Sequence, residues 1–256
     1  MPAGEGSGLM APRAGEVKAQ RSTPRRPRGS LNREDIIAAA FELIAGEEGV
    51  DGLSMPRLAR HLDVGVTSLY WYFRSKDDLM AALTEEGADR FYQLLPDYRG
   101  RPWDEHLSCY FRDFRQVFRD NPALCDLIVL RAPMQARSPE AVRRFFTLLE
   151  REISALVQAG FPVAEAVDAY MTLSVYTRGC VLNERLFTAA EEQLDRGGYR
   201  APRPDLDPAN LPVMAEAARY WAPSFATDEK FEAGMGLIID GLRVRLAQLT
   251  AGAAQA

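Results

Sequence analysis

The chain has 256 residues, nearly half of them apolar, and a formal net charge of −5. That length suits a small domain joined to a larger one with a sizeable core. No run approaches about 18 uninterrupted apolar residues, so no membrane span is expected. The N-terminal segment lacks the apolar stretch of a signal peptide, so the protein is expected in the cytoplasm.

Residues that usually build catalytic or metal sites are few and scattered. Cys109, Cys125 and Cys180 are irregularly spaced and form no CxxC pair. This favours reduced core residues over a disulfide or a zinc site. The only histidines, His61 and His106, are not near a nucleophile motif. We therefore expect no metal, no cofactor and no enzymatic activity.

The charge is distributed unevenly along the chain. Residues 1–30 carry a net charge of +4, residues 31–76 carry −2 and the remainder carries −7. The first segment is rich in Gly, Pro, Ser and Arg without periodicity, which predicts a disordered basic arm. Its arginines suit a DNA minor groove or phosphate contacts. A solvated tail without a fixed partner fits equally well.

The segment after the arm predicts three short helices followed by a longer one. Asn32 offers a cap for the first helix and Ser54 a cap for the second. The turn Asp63-Val64-Gly65 separates the second helix from the third. Ser75 then caps a connector helix that runs to about Leu95. A helix followed by a helix-turn-helix is the layout of a DNA-binding domain.

The third helix has two contrasting faces when its residues are placed about 100° apart. The inner set is Val66, Leu69 and Phe73. The outer set is Thr67, Ser68, Tyr70, Trp71 and Tyr72. Hydroxyls and aromatic rings on an outward face suit contact with bases and phosphates better than contact with water. An aromatic cluster that packs on another domain is the alternative.

The run GLSMPRLARHLDVGVTSLYWYFRSKDDL resembles the DNA-binding domain of the TetR family of bacterial repressors. The segments WDEHLSCYFRDFRQVF, TRGCVLNER and FEAGMGLIIDGLRVRLAQL are similar to the ligand-binding core of the tetracycline repressors. The resemblance implies an all-α fold. It places a three-helix DNA-binding domain at 31–76 and a larger helical effector-binding and dimerisation domain at 77–256.

In that family the recognition helix reads a palindromic operator as part of a homodimer. Carried onto this chain, the resemblance adds three residues to the outer set of the third helix. The DNA-contacting residues are then Ser54, Met55, Thr67, Ser68, Tyr70, Trp71, Tyr72 and Lys76. Tetracycline repressors have Gln and Pro where this chain has Val66 and Thr67, so we expect a different operator sequence.

From Trp103 onward the sequence predicts helices, with breaks at prolines and glycines. The predicted ranges are 103–119, 122–131, 138–159, 163–187, 209–221 and 228–250. Residues 188–208 contain Gly197-Gly198 and several prolines, which predicts a mobile loop there.

The last helix carries an apolar stripe at helical spacing, and such a stripe has to be buried. The stripe consists of Met235, Ile238, Leu242, Leu246 and Leu249. Gly234 and Gly241 would permit close approach of another helix. Packing inside one subunit is one interpretation. The resemblance favours a four-helix bundle between two subunits, formed with the helix at 163–187.

A helical core of this size can enclose a mostly apolar pocket with a few polar anchors. The resemblance implies a lining of Tyr92, Tyr110, Phe114, Ile128, Arg131 and Asn183, and helix position adds Tyr176 and Cys180. The aromatic members are equally candidates for plain core. Tetracycline repressors hold a drug-bound magnesium ion through a histidine where this chain has Ile128. We therefore expect a larger, more aromatic and metal-free effector.

These predictions combine into one function. We expect a homodimeric repressor that binds a palindromic double-stranded DNA operator and releases it when a small, largely apolar effector binds. The alternative is a small-molecule binding protein of the same fold without sequence-specific DNA binding.

Overall fold

A computed structural model of the chain describes residues 31–46, 49–130, 138–197, 207–218 and 227–253. The predicted basic arm and the pocket candidate Arg131 lie outside the described residues. The described part is built from helices and connecting segments, and it contains no strand. The predicted all-α fold is confirmed.

Ten α-helices follow one another along the described chain. They are α1 (Arg33–Ile44), α2 (Met55–His61), α3 (Val66–Tyr70), α4 (Lys76–Leu94), α5 (Trp103–Asp120), α6 (Pro122–Cys125), α7 (Pro139–Ala159), α8 (Val163–Gly197), α9 (Pro212–Ala217) and α10 (Asp228–Ala253). A π-helical segment, Asp126–Leu130, continues directly from α6. None of the described helices combines the length and the hydropathy that a membrane crossing requires.

The three predicted helix caps are present. The Asn32 side chain accepts a hydrogen bond of 2.6 Å from the amide of Asp35 at the start of α1. The Ser54 hydroxyl accepts one of 3.3 Å from the Arg57 amide, and the Ser75 hydroxyl one of 3.0 Å from the Asp78 amide. Because each cap satisfies an otherwise unpaired donor, the caps fix where α1, α2 and α4 begin.

α4 connects the helix-turn-helix to the larger group of helices. A Cβ added to Gly87, near the middle of α4, would lie 3.7 Å from the Phe41 ring of α1. It would also lie 3.5 Å from Leu124 and 3.7 Å from Leu127, in α6 and the π-helical segment. The glycine therefore lets α1 and α6 approach α4 at the same level. The predicted domain boundary at residue 76 remains a prediction.

α5 lies at the centre of the larger group, since α7, α8 and α10 all pack against it. Its buried Arg115 donates a 2.8 Å hydrogen bond to Glu184 of α8 and forms a 2.9 Å ion pair with Asp228 of α10. His106 of α5 makes a 2.5 Å contact with Glu152 of α7, and both side chains are buried. Polar side-chain contacts thus join α5 to α7, α8 and α10.

The predicted mobile loop over residues 188–208 is wrong in its first part, because α8 continues to Gly197. The segment before that residue, TAAEEQLDR, is dominated by good helix formers, and only the Gly197-Gly198 pair interrupts it. Residues 198–206 lie outside the described part. The predicted helix at 209–221 is shorter where it is described, as α9 spans Pro212–Ala217.

The apolar stripe of the last helix packs partly within the subunit. Met235 is buried, and a Cβ on Gly160 would lie 3.5 Å from the Leu246 side chain of the same chain. The other stripe residues, Ile238, Leu242, Leu246 and Leu249, are half-buried in the single chain, so the role of the stripe as a dimer surface stays a prediction. α10 also exposes Leu237, with 76% of its surface accessible, and Val244. Leu237 and Val244 belong to a second apolar face of α10, which lies away from the predicted stripe.

Gly234 of α10 faces Tyr176 of α8 at very close range. The Tyr176 hydroxyl donates to the carbonyl oxygens of Phe231 and Lys230, at 3.0 and 3.1 Å, and its ring stacks on Phe231. A Cβ on Gly234 would lie 2.6 Å from the ring carbon that carries this hydroxyl. The close helix approach predicted for Gly234 is thus present inside one subunit, whereas a Cβ on Gly241 would meet no described atom within 4 Å.

We expect Gly234→Ala to destabilise the protein by about 1–3 kcal/mol, because the new methyl displaces a ring that is held by two hydrogen bonds. Gly236→Ala is the matched control, since nothing lies within 4 Å of its added Cβ. The control should be neutral or stabilising by up to about 1 kcal/mol through its helix propensity. Urea unfolding of both variants measures this, and equal stability of the two would contradict the close approach.

Candidate nucleic-acid interface and effector region

The third helix presents the two faces that its sequence predicts. Leu69 and Phe73 are buried and Val66 is half-buried. Regular α3 ends at Tyr70, and Trp71 follows in helical conformation with 86% of its surface exposed. The remaining outer residues are Thr67, Tyr70 and Tyr72, which are exposed, and Ser68, which is half-buried. A hydroxyl and aromatic surface is therefore displayed on a buried apolar base.

Arg33 holds the end of this surface in place. Its guanidinium donates a 3.3 Å hydrogen bond to the carbonyl oxygen of Tyr72 and lies 4.3 Å from the centre of the Phe73 ring. We call residues 66–73 the recognition segment. A hydrogen bond and a cation–π contact from the Arg33 side chain link α1 to the end of this segment. Arg33 was not identified from the sequence.

Met55 departs from the predicted set of DNA-contacting residues. Only 4% of its surface is exposed, because its side chain joins Leu58 and Ala59 on the inner side of α2. Only the backbone of Met55 is therefore accessible for a contact with DNA. Ser54 is half-buried and its hydroxyl caps α2, whereas Lys76 is exposed at the start of α4.

Two further cations lie near the recognition segment in the chain. Arg60 and Arg74 are both exposed, and neither forms an ion pair with another described residue. Arg57 is different, because it donates to the carbonyl oxygen of Gly52 at 3.2 Å. Exposed arginines beside the outer residues of the third helix suit contacts with phosphate. Arg74 was missed by the sequence reasoning, although its place directly after Phe73 was a usable signal.

Several of the predicted effector residues lie together in an aromatic cluster. Tyr110 and Phe114 of α5 are buried, and the Tyr110 hydroxyl lies 3.2 Å from that of Tyr170 on α8. The Phe114 ring is 4.9 Å from Phe91 of α4. Burial raises the pKa of Tyr110, so its hydroxyl stays protonated at neutral pH. Tyr92 and Ile128 are half-buried.

The other predicted effector residues lie on a different flank of α8. Tyr176 faces α10, and its pKa is raised to about 12 by burial. Cys180 is half-buried beside it, and burial raises the pKa of this thiol too. The amide oxygen of Asn183 is buried and accepts no hydrogen bond from the described residues.

Two open clefts of the described structure are lined by residues outside this set. A cleft of about 1380 Å³ lies between α1, α4 and α6, with Arg90, Asp126 and Arg185 among its lining residues. A smaller cleft of about 580 Å³ lies between the start of α5 and the end of α7. None of the predicted effector residues that the structure describes is among those that line these two clefts.

Comparison with known families agrees with both parts of the chain. Residues 36–83 match the family model for bacterial regulatory proteins of the tetR family. Residues 95–246 match the model for the tetracyclin repressor-like C-terminal domain. Together these two matches span the helix-turn-helix and most of the helices that follow it.

Curated relatives extend over most of the chain. An HTH-type transcriptional repressor of Mycobacterium tuberculosis is 42% identical over 218 residues, which are 84% of this chain and 82% of the relative. A class A tetracycline repressor of Escherichia coli is 33% identical over 84% of this chain and 92% of its own length.

Solved structures share the same fold. TetR from Acinetobacter baumannii aligns with a TM-score of 0.55 at 28% identity, covering 83% of this chain and 97% of the other. The ActR protein of Streptomyces coelicolor, solved in complex with actinorhodin, aligns with a TM-score of 0.63 at 24% identity, covering 88% and 97%. The chain therefore belongs to the TetR family and is a DNA-binding transcriptional regulator with a tetracycline-repressor-like C-terminal domain.

Proposed function

We propose that the protein is a homodimeric repressor that holds a palindromic operator and releases it when a small, largely apolar effector binds. The observation that carries this proposal is the recognition segment, where a nearly fully exposed Trp71 stands above buried Leu69 and Phe73. Supporting it, the Mycobacterium tuberculosis relative is named a transcriptional repressor.

The outer residues of the recognition segment have the chemistry that DNA reading requires. The Thr67 and Ser68 hydroxyls can bond to base edges, and the Trp71 ring can contact a thymine methyl group. Tyr70 and Tyr72 are placed at the sides of this face, where phenol hydroxyls reach phosphate. Lys76, Arg60 and Arg74 add sequence-independent attraction to the backbone.

Two exposed apolar stripes support a dimer. On α8, large apolar residues are exposed at every fourth position. They are Val163, Val167, Met171 and Val175. On α10, Leu237 and Val244 are exposed on either side of Gly241, which has open space beside it. Exposed apolar surfaces of this kind are usually covered by a partner. A second copy of the chain that contributes the same two helices would bury them.

α4 connects the recognition segment to the aromatic cluster around Phe91 and can couple the two. It is 19 residues long, or about 28 Å. Lys76 begins it beside the recognition segment, and Phe91 near its far end stacks on Phe118 at 4.6 Å. An effector that moves Phe91 would rotate α4 and shift the paired recognition helices away from the groove spacing of about 34–36 Å. Coupling of about 1–3 kcal/mol is typical for such a change.

The effector that we propose is aromatic and metal-free. Ile128, at the position where tetracycline repressors have a magnesium-binding histidine, offers no ligand atom. The clustered rings of Phe91, Tyr110 and Phe114 provide stacking partners for such an effector.

A mobility-shift titration against the DNA that flanks its own gene tests the function. We expect a specific complex that weakens steeply with salt, because phosphate contacts release counterions. Absence of sequence preference even at low salt would refute the repressor. Ligand affinity without any DNA binding would favour a small-molecule binding protein of the same fold.

Trp71→Ala should abolish specific operator binding and leave the melting temperature nearly unchanged, because the indole is exposed in the free protein. Phe146→Ala is the matched control, since this aromatic residue of α7 is also largely exposed but far from α3 in the chain. A large fall in melting temperature for Trp71→Ala would show that the indole is part of the core.

Leu237→Glu should convert the dimer to monomers, because a charge would be buried between two copies of α10. Phe146→Glu places the same charge on an exposed apolar residue of α7 and should leave the assembly intact. Sedimentation velocity distinguishes the two species. A dimer that persists in the Leu237 variant at micromolar concentration would place the interface elsewhere.

A further inference from the structure

α8 carries buried polar atoms that no described residue satisfies. The Thr177 side chain has 0% of its surface exposed, and its hydroxyl has no hydrogen-bond partner among the described residues. The buried Nε of Arg178 likewise has none. Buried donors are almost always paired in folded proteins, because leaving one without a partner forfeits the bonds it made with water.

Arg178 is the more unusual of the two residues, because its charge has no carboxylate partner in the described part of the chain. Glu184, further along α8, accepts from Arg115 through Oε1, and its buried Oε2 has no hydrogen-bond partner among the described residues. Glu152 of α7 is paired with His106 and Arg151. Neither carboxylate forms an ion pair with Arg178. A partly desolvated guanidinium without a counter-ion is costly unless a ligand supplies the charge.

The surroundings of Arg178 are aromatic. Its guanidinium carbon lies 6.0 Å from the centre of the Phe114 ring. Phe114 packs against Tyr110 at 6.1 Å, and Tyr110 lies 3.2 Å from Tyr170, hydroxyl to hydroxyl. Burial raises the pKa of Tyr170, and the positive charge of Arg178 is among the influences that oppose that shift. A cation therefore lies at the edge of an aromatic cluster.

We propose that Arg178 and Thr177 bind the acidic group of an aromatic effector, such as a carboxylate, a sulfonate or an ionised phenol, while its rings lie against Phe114 and Tyr110. This inference rests on the proposed function and names the chemical class of its effector. A guanidinium pairs with such oxygens through charge-assisted hydrogen bonds. Asn183 is not part of this group, because it is about 140° around α8 from Arg178.

Two fluorescent probes with the same aromatic skeleton test the acidic group. The probe 8-anilinonaphthalene-1-sulfonate carries an anion, and N-phenyl-1-naphthylamine is its neutral counterpart. In fluorescence titrations of the full chain without DNA, we expect the sulfonate to bind at least about tenfold more tightly. Arg178→Met should remove this preference and leave the affinity for the neutral probe unchanged. Thr177→Val should weaken the sulfonate alone by a few fold.

Arg101→Met is the matched control, because Arg101 is exposed and forms no ion pair with a described residue. It removes one positive charge from the surface and should leave both affinities unchanged. Thermal unfolding adds a second readout. Arg178→Met should melt at the same temperature or higher, since it removes an uncompensated charge. A large fall in melting temperature would assign Arg178 a structural role and overturn the proposal.

The remaining outcomes are equally decisive. Equal binding of the two probes by the unaltered protein would show that ordered water satisfies these atoms and would overturn the proposal. Loss of both probes in the Thr177 and Arg178 variants would do the same. Because no DNA is present, these results are independent of operator binding. A failed mobility shift with intact sulfonate preference would reject the repressor and retain the binding site.

Discussion

The packing of Phe91 against α5 is the contact on which the rest of this structure depends. Phe91 stacks on Phe118 and meets Phe114 edge to face, so the far end of α4 is fixed in the aromatic core. The near end of the same helix begins at Lys76, directly after the recognition segment. One helix therefore joins the aromatic core to the start of the segment that follows α3, and this is the connection through which the proposed coupling would act.

Gly87 lets two neighbouring elements pack closely on α4. It allows the Phe41 ring of α1 and the Leu124 side chain of α6 to approach α4 at one level. The continuation of α6 is π-helical, a geometry that is often found at functional positions. One of the elements that contact α4 therefore departs from regular α-helical geometry.

Much of the helix-turn-helix, including its helix starts and the two faces of α3, can be predicted from local sequence alone. The caps at Asn32, Ser54 and Ser75 and the inner position of Leu69 depend only on neighbours within a few residues, so hydrogen-bonding chemistry and helical spacing predict them. The burial of the Met55 side chain did not follow from the sequence, because it depends on how α2 is rotated against its neighbours. That rotation is set by tertiary packing, which no short pattern encodes.

The larger helices show the same limit more clearly. The stripe on α10 was identified correctly as apolar, but two faces of this helix are apolar, and periodicity cannot tell which one packs inside the subunit. Leu246 lies beside Gly160, whereas Leu237 is exposed. The sequence could not predict that the Thr177 hydroxyl and the Arg178 Nε lack hydrogen-bond partners among the described residues, because this depends on how the neighbouring helices pack around α8.

A DNase I footprint on the DNA beside the gene would show whether two recognition helices are held at a spacing that an aromatic ligand changes. We expect two symmetric protected half-sites whose centres are separated by about 10 base pairs or a multiple of it. Both half-sites should lose protection together when effector is added. Protection of one unpaired site, or loss of one half-site alone, would refute a paired, ligand-controlled repressor.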